Sequence, residues 1–331
     1  SARSAPDRRP AVVVSGIEHA SVHDQAERLA ALGAAYRVVR ARADGRVRPA
    51  EVAAAVDRDT TAVSVMLVNN ETGVVQPVAD IARAARLAAA PRRLLVHTDA
   101  VQAFGKIPLD PASLGVDAAS LSAHKLGGPR GIGALWLRRG LVLPVLAAGG
   151  GQERGMRPGT ENVAGAAGFA AAAEARLARL AADADRARAL AARLAGGLAA
   201  LPGARLFPAE RTDGESDLFS PWIVCFGFPP LPGEVVVRLA AERGICIASG
   251  SACSSRKRIT TRVLEAMGLD RRTALSAVRV STGPATSVAD IDALLAFLRG
   301  DLAPHVAAAA GGGARGRGAA GAPARAPGGG A

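Results

Sequence analysis

The sequence predicts an α/β fold: a mainly parallel sheet in a large domain, followed by a smaller α+β unit. Three observations carry this expectation. Short apolar or β-branched runs bounded by turn residues occur at 11–16, 61–69, 94–99 and 132–137. Helical spacing fills 22–32 and 78–90 between them, and strands alternating with helices at such intervals build parallel sheets with their active residues at the strands' carboxyl ends. From 163 to about 201 the chain turns Ala/Leu/Arg-rich, which reads as one long connecting helix. Beyond it lie strand-like runs at 222–226 and 244–248, then a helix that starts at Ser287, a good N-cap, and runs to about Arg299. The expected divisions are a large domain over 1–183, a small domain over 184–304 and a tail over 305–331. The tail is nearly all Ala, Gly, Pro and Arg and is expected to be disordered, because it has too little apolar surface to offset its ordering entropy.

Composition narrows the function classes. At 331 residues and 49 % hydrophobic, the chain is large enough for a sizeable core. No apolar run approaches the roughly 20 residues of a membrane span, so no membrane role is expected. The net charge of +12 raises nucleic-acid binding, but aromatics are only 3 % of the chain and the arginines are scattered along helices and termini. A basic groove with stacking platforms is therefore not expected. Three cysteines, Cys225, Cys246 and Cys253, make no even-numbered disulfide framework, and residues 1–10 lack an apolar signal core. A reducing cytoplasmic setting is expected. Without a Cys/His cluster at ligand spacing, no catalytic metal is expected either.

The chemistry gathers around Lys125. A lysine that closes Ser122-Ala123-His124-Lys125, downstream of Asp99-Ala100-Val101-Gln102 at a strand end, supplies what pyridoxal phosphate requires. The lysine forms a Schiff base, and the carboxylate of Asp99 keeps the pyridine nitrogen protonated so that the ring becomes an electron sink. Asp99 alone reads as a turn cap; Gln102, which can reach the same ligand at a ring oxygen, and Lys125 change that reading. Ser122 and His124 stand where a hydroxyl and an imidazole can donate to phosphate oxygens. The glycines at 127, 128 and 131 precede a strand rather than open a helix, which argues against a dinucleotide site.

Six ordered motifs carry a family resemblance from about residue 12 to about residue 299. They are Glu18-His19, Val68-Asn69-Asn70-Glu71-Thr72-Gly73, His97-Thr98-Asp99-Ala100-Val101-Gln102, Ser122-Ala123-His124-Lys125, the segments 149–154 and 157–162, and Ser249-Gly250-Ser251-Ala252-Cys253. Together they resemble the cysteine desulfurases of the NifS/IscS type, class V among the fold-type I pyridoxal phosphate enzymes. The resemblance implies Lys125 as the Schiff-base lysine, Asp99 at the pyridine nitrogen and Gln102 at the phenolic oxygen. It implies His19 as the imidazole that stacks on the ring and moves protons, and Ser122 and His124 as phosphate ligands. Thr160 resembles a threonine that reaches the phosphate of the partner subunit in a homodimer. Asn70 and Arg279 resemble the pair that holds the substrate carboxylate, a task suited to the planar fork of arginine.

Cys253 is implied as the nucleophile that takes sulfur from L-cysteine, leaving L-alanine and a persulfide for an acceptor protein in iron–sulfur assembly or thiolation. Its small polar surroundings and the neighbouring Arg256, Lys257 and Arg258 favour a thiolate. Cys225 and Cys246 lie in apolar runs and read as small buried hydrophobes. His97 reads as structural, and His23 and His305 as unpartnered. The family's glycine–threonine phosphate loop has no counterpart ahead of Ser15, so the chain is expected to lack the N-terminal segment. Two alternatives follow: an impaired fragment acting as an interaction scaffold, or another class V enzyme such as selenocysteine lyase.

Overall fold

Ala11-Val12-Val13-Val14-Ser15 is buried on both faces, as a central strand of a parallel sheet must be. The computed structural model describes residues 9–143, 147–212, 217–249 and 261–315. In chain order the first half runs β1 (Ala11–Ser15), α1 (Ala20–Ala31), β2 (Ala35–Val39), α2 (Pro49–Ala55), β3 (Thr60–Ser64), α3 (Val78–Ala89), β4 (Leu95–Asp99), β5 (Ala118–Ser122) and β6 (Gly133–Leu137). Their sheet has the order β2-β1-β3-β4-β5-β6 and is parallel except for the antiparallel edge strand β6. The α/β class is thus as expected. Three elements were not among the expected runs: β2, whose Ala-Tyr-Arg-Val-Val is interrupted by an arginine, β5, whose Ala-Ala-Ser-Leu-Ser has no β-branched residue, and α2, which starts on a proline at its first turn.

The strand expected over 61–69 keeps regular pairing only to Ser64. The cause is Glu18, whose Oε1 accepts the N–H of Met66 at 2.7 Å and the hydroxyl of Ser15 at 2.5 Å. A side chain from the turn after β1 thereby takes a donor that a longer β3 would give to β1, while Val65 and Leu67 still donate to His97 O and Asp99 O of β4. Beyond it Asn69 organises the loop: Oδ1 accepts from the N–H groups of Glu71 and Thr72, both at 2.9 Å, while Nδ2 donates to Ile17 O at 3.0 Å. Gly73 ends this loop at φ +76°, and an added Cβ would lie 2.7 Å from Ile223 O, so both conformation and space require glycine.

The single helix expected over 163–201 is two, α4 (Val163–Leu177) and α5 (Leu180–Ala199). The buried carboxylate of Asp183 gathers Arg176 at 3.0 Å and Arg179 at 3.5 Å, which stabilises a corner instead of a straight helix. A second, antiparallel sheet follows, built from β7 (Arg205–Leu206), β8 (Ile223–Gly227), β9 (Ala248–Ser249) and β10 (Ala277–Ser281) in the order β7-β8-β10-β9. The run at 244–248 pairs only at its end, through β9. With this sheet stand α6 (Gly233–Glu242), α9 (Val288–Arg299) and α10 (Ala303–Arg315), whereas α7 (Arg262–Ala266) and α8 (Arg271–Leu275) pack back on the core of the first sheet through Val263, Leu264 and Ala274. Ser287 caps α9 in a full capping box with Asp290.

The segment expected to be disordered from 305 begins as α10, and 316–331 lie outside the described residues. Val288–Gly311 also qualifies by length and composition as a membrane-crossing stretch, contrary to expectation. Its apolar side is already occupied: Ile291, Leu294, Leu295, Leu298 and Leu302 pack with Leu190, Leu194, Val224 and Val278 in the second core.

Two outcomes test this frame. Gly73→Ala should cost about 2–4 kcal/mol in denaturant unfolding, the sum of a left-handed backbone and a clash with Ile223 O; an unchanged midpoint would contradict the loop geometry. Burial, partly opposed by the hydrogen bonds from Ser15 and Met66, raises Glu18 from the ordinary 4.5 to about 8. The folded state therefore holds a proton that the unfolded chain releases, and stability from this group is full below about 4.5 and lost as pH rises toward 8. Glu18→Gln should gain stability relative to the parent between pH 5 and pH 8, measured as the difference of two unfolding free energies.

Candidate active site

The parallel sheet places one candidate residue at or just after the carboxyl end of each of four strands. His19 follows β1, Asn70 follows β3, Asp99 ends β4, and Lys125 closes the short 3₁₀ turn Ala123–Lys125 after β5. Arg279 arrives from β10 of the second sheet and donates from Nη1 to the carbonyl of Asn70 at 3.0 Å. These residues, with Gln102, Ser122 and His124, line one cavity of about 370 Å³, completed by Ser21, Met66 and Val101. The structure thus brings together eight of the ten expected site residues: His19, Asn70, Asp99, Gln102, Ser122, His124, Lys125 and Arg279.

Local chemistry sets each side chain. Asp99 is buried and its Oδ1 accepts the N–H of Val101 at 2.9 Å, an Asx turn that holds the carboxylate at the strand end. His19 is the N-cap of α1: its Nδ1 accepts the N–H of Ser21 at 3.1 Å, so in the neutral ring the proton resides on Nε2. Ser122 Oγ and His124 Nδ1 lie 2.7 Å apart, which makes them one polar unit beside Lys125. Burial and then the Lys125 charge push His124 below its ordinary value, favouring a neutral imidazole. His97, expected to be structural, is held between the hydroxyls of Ser64 and Ser120, both at 2.8 Å, and burial lowers its pKa.

Thr160 does not join this group. It is exposed on the loop after residue 155, where Arg157 Nη1 donates to the carbonyls of Gly159 at 3.0 Å and Thr160 at 3.4 Å. Cys253 lies outside the described residues. Its segment is flanked by described groups close to the site: β9 ends at Ser249, paired with Val278 beside Arg279, and Arg262 of α7 donates to Gly16 O at 2.9 Å and also to Glu18 O. Cys225 is buried as expected, its thiol pushed up to about 12 by burial. Cys246 is exposed, contrary to expectation, because the run around it is not paired in the sheet. His23 is not unpartnered: it stands 3.6 Å from Glu27 and edge-on to Tyr36. His23, Asp24 and Glu27 form a surface group of ligand-type atoms, with two of its three members exposed.

Sequence reasoning missed the groups that hold the cavity from behind. Lys106 donates to Gln102 Oε1 at 2.5 Å, and Arg262 braces the β1–α1 turn. Glu71, next to Asn70, is buried, and desolvation lifts it to about 7 against the opposing charges of Arg279 and Arg262. Only the four-residue interval between Gln102 and Lys106 was available as a signal, and it reads equally as a turn.

The cavity fits pyridoxal phosphate by its donor set. A buried carboxylate suits a protonated ring nitrogen, a primary amine suits a carbonyl carbon, a hydroxyl–imidazole unit suits a phosphate, and Arg279 suits a second anion. Arg279 Nε is itself buried and without a hydrogen-bond partner within the described structure.

Comparison with known proteins agrees with this geometry. The chain matches the aminotransferase class-V family over residues 1–294. It is 40 % identical to a NifS/IcsS protein homolog of Lactobacillus delbrueckii subsp. bulgaricus across 86 % of this chain and 72 % of the relative. A cysteine desulfurase of Cereibacter sphaeroides is 40 % identical over 90 % of this chain and 74 % of its own length. The solved structure of a NifS-like protein superimposes with a TM-score of 0.79 at 35 % identity, covering 90 % of this chain and 76 % of that one. With its fold, its cavity and these matches in agreement, the chain belongs to the aminotransferase class-V family, in its NifS-like branch.

Proposed function

We propose that this protein is a pyridoxal-phosphate-dependent cysteine desulfurase that moves the sulfur of L-cysteine to Cys253 and releases L-alanine. The observation that carries the reading is the single cavity in which Asp99, Gln102, Lys125, His19, Asn70 and Arg279 meet. Relatives bearing the cysteine desulfurase name favour it over a scaffold or a selenocysteine-specific enzyme.

When bound, pyridoxal phosphate supplies an electron sink for breaking bonds at the substrate's α-carbon. Asp99 would hold the ring-nitrogen proton by charge pairing, and Gln102 would donate to the phenolic oxygen. Ser122 and His124 would bind the phosphate, and Thr160 would serve the phosphate of a partner subunit in a homodimer. Arg279 would bind the substrate carboxylate with Asn70 beside it; the bond to the Asn70 carbonyl fixes the guanidinium and leaves Nε free for an anion. Lys125 would tether the cofactor and, once released, take the proton from the substrate's α-carbon. His19, protonated on Nε2 by its capping bond, would give or accept a proton at the cavity wall.

Cys253 thiolate would then attack the substrate sulfur. The new S–S bond forms as the substrate's C–S bond breaks, the β-carbon takes a proton in place of sulfur, and return of a proton to the α-carbon completes alanine. The persulfide then passes to an acceptor protein, an iron–sulfur scaffold or a thiolation partner, in the cytoplasm. The location of both flanks of the Cys253 segment beside Arg279 and the β1–α1 turn supports this role.

Incubation of the cofactor-loaded protein with L-cysteine, reading alanine and reductant-released sulfide, tests the proposal. Lys125→Ala should lose at least the roughly 10²–10⁴-fold contribution of a positioned acid–base group. Cys253→Ala should retain bound cofactor yet form no persulfide; alanine release at the parental rate by that variant would contradict the nucleophile assignment.

A further inference from the structure

Gln102 presents two chemically opposite ends, an accepting Oε1 and a donating Nε2, and only one of them suits an anionic oxygen in the cavity. The choice is made behind the cavity wall. Lys106 Nζ donates to Gln102 Oε1 at 2.5 Å, so the carbonyl end of the amide is claimed and Nε2 is the end left over. Lys106 does not line the cavity; Gln102 does.

We propose that Lys106 is a positioning residue that fixes the amide of Gln102 so that Nε2 is presented to the phenolic oxygen of the cofactor. The inference rests on the placement of Gln102 in the proposed function and adds to it the group that decides which way the amide faces.

Two further observations favour a functional reason for this lysine. Among the described residues no carboxylate forms an ion pair with Lys106, while Lys125, Arg176 and Arg279 act on it as like charges. Desolvation, with those charges, brings it down to about 7, so its presence works against stability. Its backbone is nevertheless held firmly. The carbonyl of Lys106 accepts from Trp222 Nε1 at 2.9 Å, the Arg176 guanidinium lies 4.8 Å from the centre of that indole, and Arg176 pairs with Asp183 at the α4–α5 corner. An amine with no carboxylate partner among the described residues is thus braced from the second half of the chain and aimed at one amide oxygen.

The readout is the pH midpoint of the near-visible absorption change of bound pyridoxal phosphate, recorded on the full chain without substrate. A donor to the phenolic oxygen stabilises its negative charge and lowers that midpoint. Gln102→Leu should therefore raise it by about one pH unit, the scale of one hydrogen bond to a charged oxygen. Lys106→Met, or Lys106→Leu if the first variant folds poorly, should raise it by a similar amount. Combination with Gln102→Leu should add nothing, and thermal unfolding of the cofactor-free variant should be no lower than the parent's. Lys106→Gln, which keeps an N–H donor, should restore the parental midpoint. A parental midpoint in Lys106→Met beside a raised one in Gln102→Leu overturns the proposal and leaves the cofactor reading standing, as does a Lys106→Gln midpoint displaced as far as that of Lys106→Met. A parent that develops no absorption band with pyridoxal phosphate overturns the cofactor reading and this inference together.

Discussion

A hydrogen bond of 3.0 Å from Arg279 to the backbone carbonyl of Asn70 joins the two halves of the site. Asn70 is held by the parallel sheet through the buried amide of Asn69, whose four bonds to Ile17, Glu71 and Thr72 leave the loop little freedom. Arg279 belongs to the antiparallel sheet, between β8 and β9. The segment before β8 continues the seam, with Ser220 N–H donating to Gly73 O at 2.7 Å and Val75 N–H to Leu218 O at 2.8 Å. The cavity therefore depends on register between two sheets, and the loop from Asn69 to Gly73 sets that register.

The parts legible in the sequence were those whose residue type is dictated by local chemistry. Asp99 at a strand end, Lys125 after Ser122 and His124, and Ser287 ahead of α9 each announce themselves by type and spacing. The runs that became β1 and β4 show the apolar content a buried parallel strand needs. The illegible parts depend on contacts far away in the chain. Nothing near residue 64 says that β3 leaves β1 there, because Glu18, 48 residues from Met66, takes the Met66 N–H on that side. The break between α4 and α5 carries no proline or glycine at Ala178 and Arg179; it follows from a buried aspartate that gathers two arginines. Lys106 carries no local mark of its role, because Trp222, which holds its carbonyl, stands 116 residues later.

Strongly shifted acids and bases gather around the cavity, and the signs are informative. Glu18 and Glu71, lifted to about 8 and about 7, stand on loops that shape the wall, while Lys106 is lowered to about 7 behind it. Each shift is led by desolvation, so each marks a place where the fold tolerates an unfavourable environment for an ionised group. Such groups collect where binding or proton movement is required, in line with a site that must order an anionic cofactor and an amino-acid substrate.

The depressed Lys106 also makes the identity of the cofactor-binding lysine the most exposed claim of the account, since a desolvated amine is itself a capable nucleophile. Geometry favours the proposed Lys125: it lines the cavity with Asp99, whereas Lys106 is engaged with Gln102 outside it. Borohydride reduction of the protein loaded with pyridoxal phosphate, followed by peptide mapping, measures this directly. The account predicts the pyridoxyl group on the peptide containing Lys125; its recovery on Lys106, or on no lysine of the chain, would contradict it.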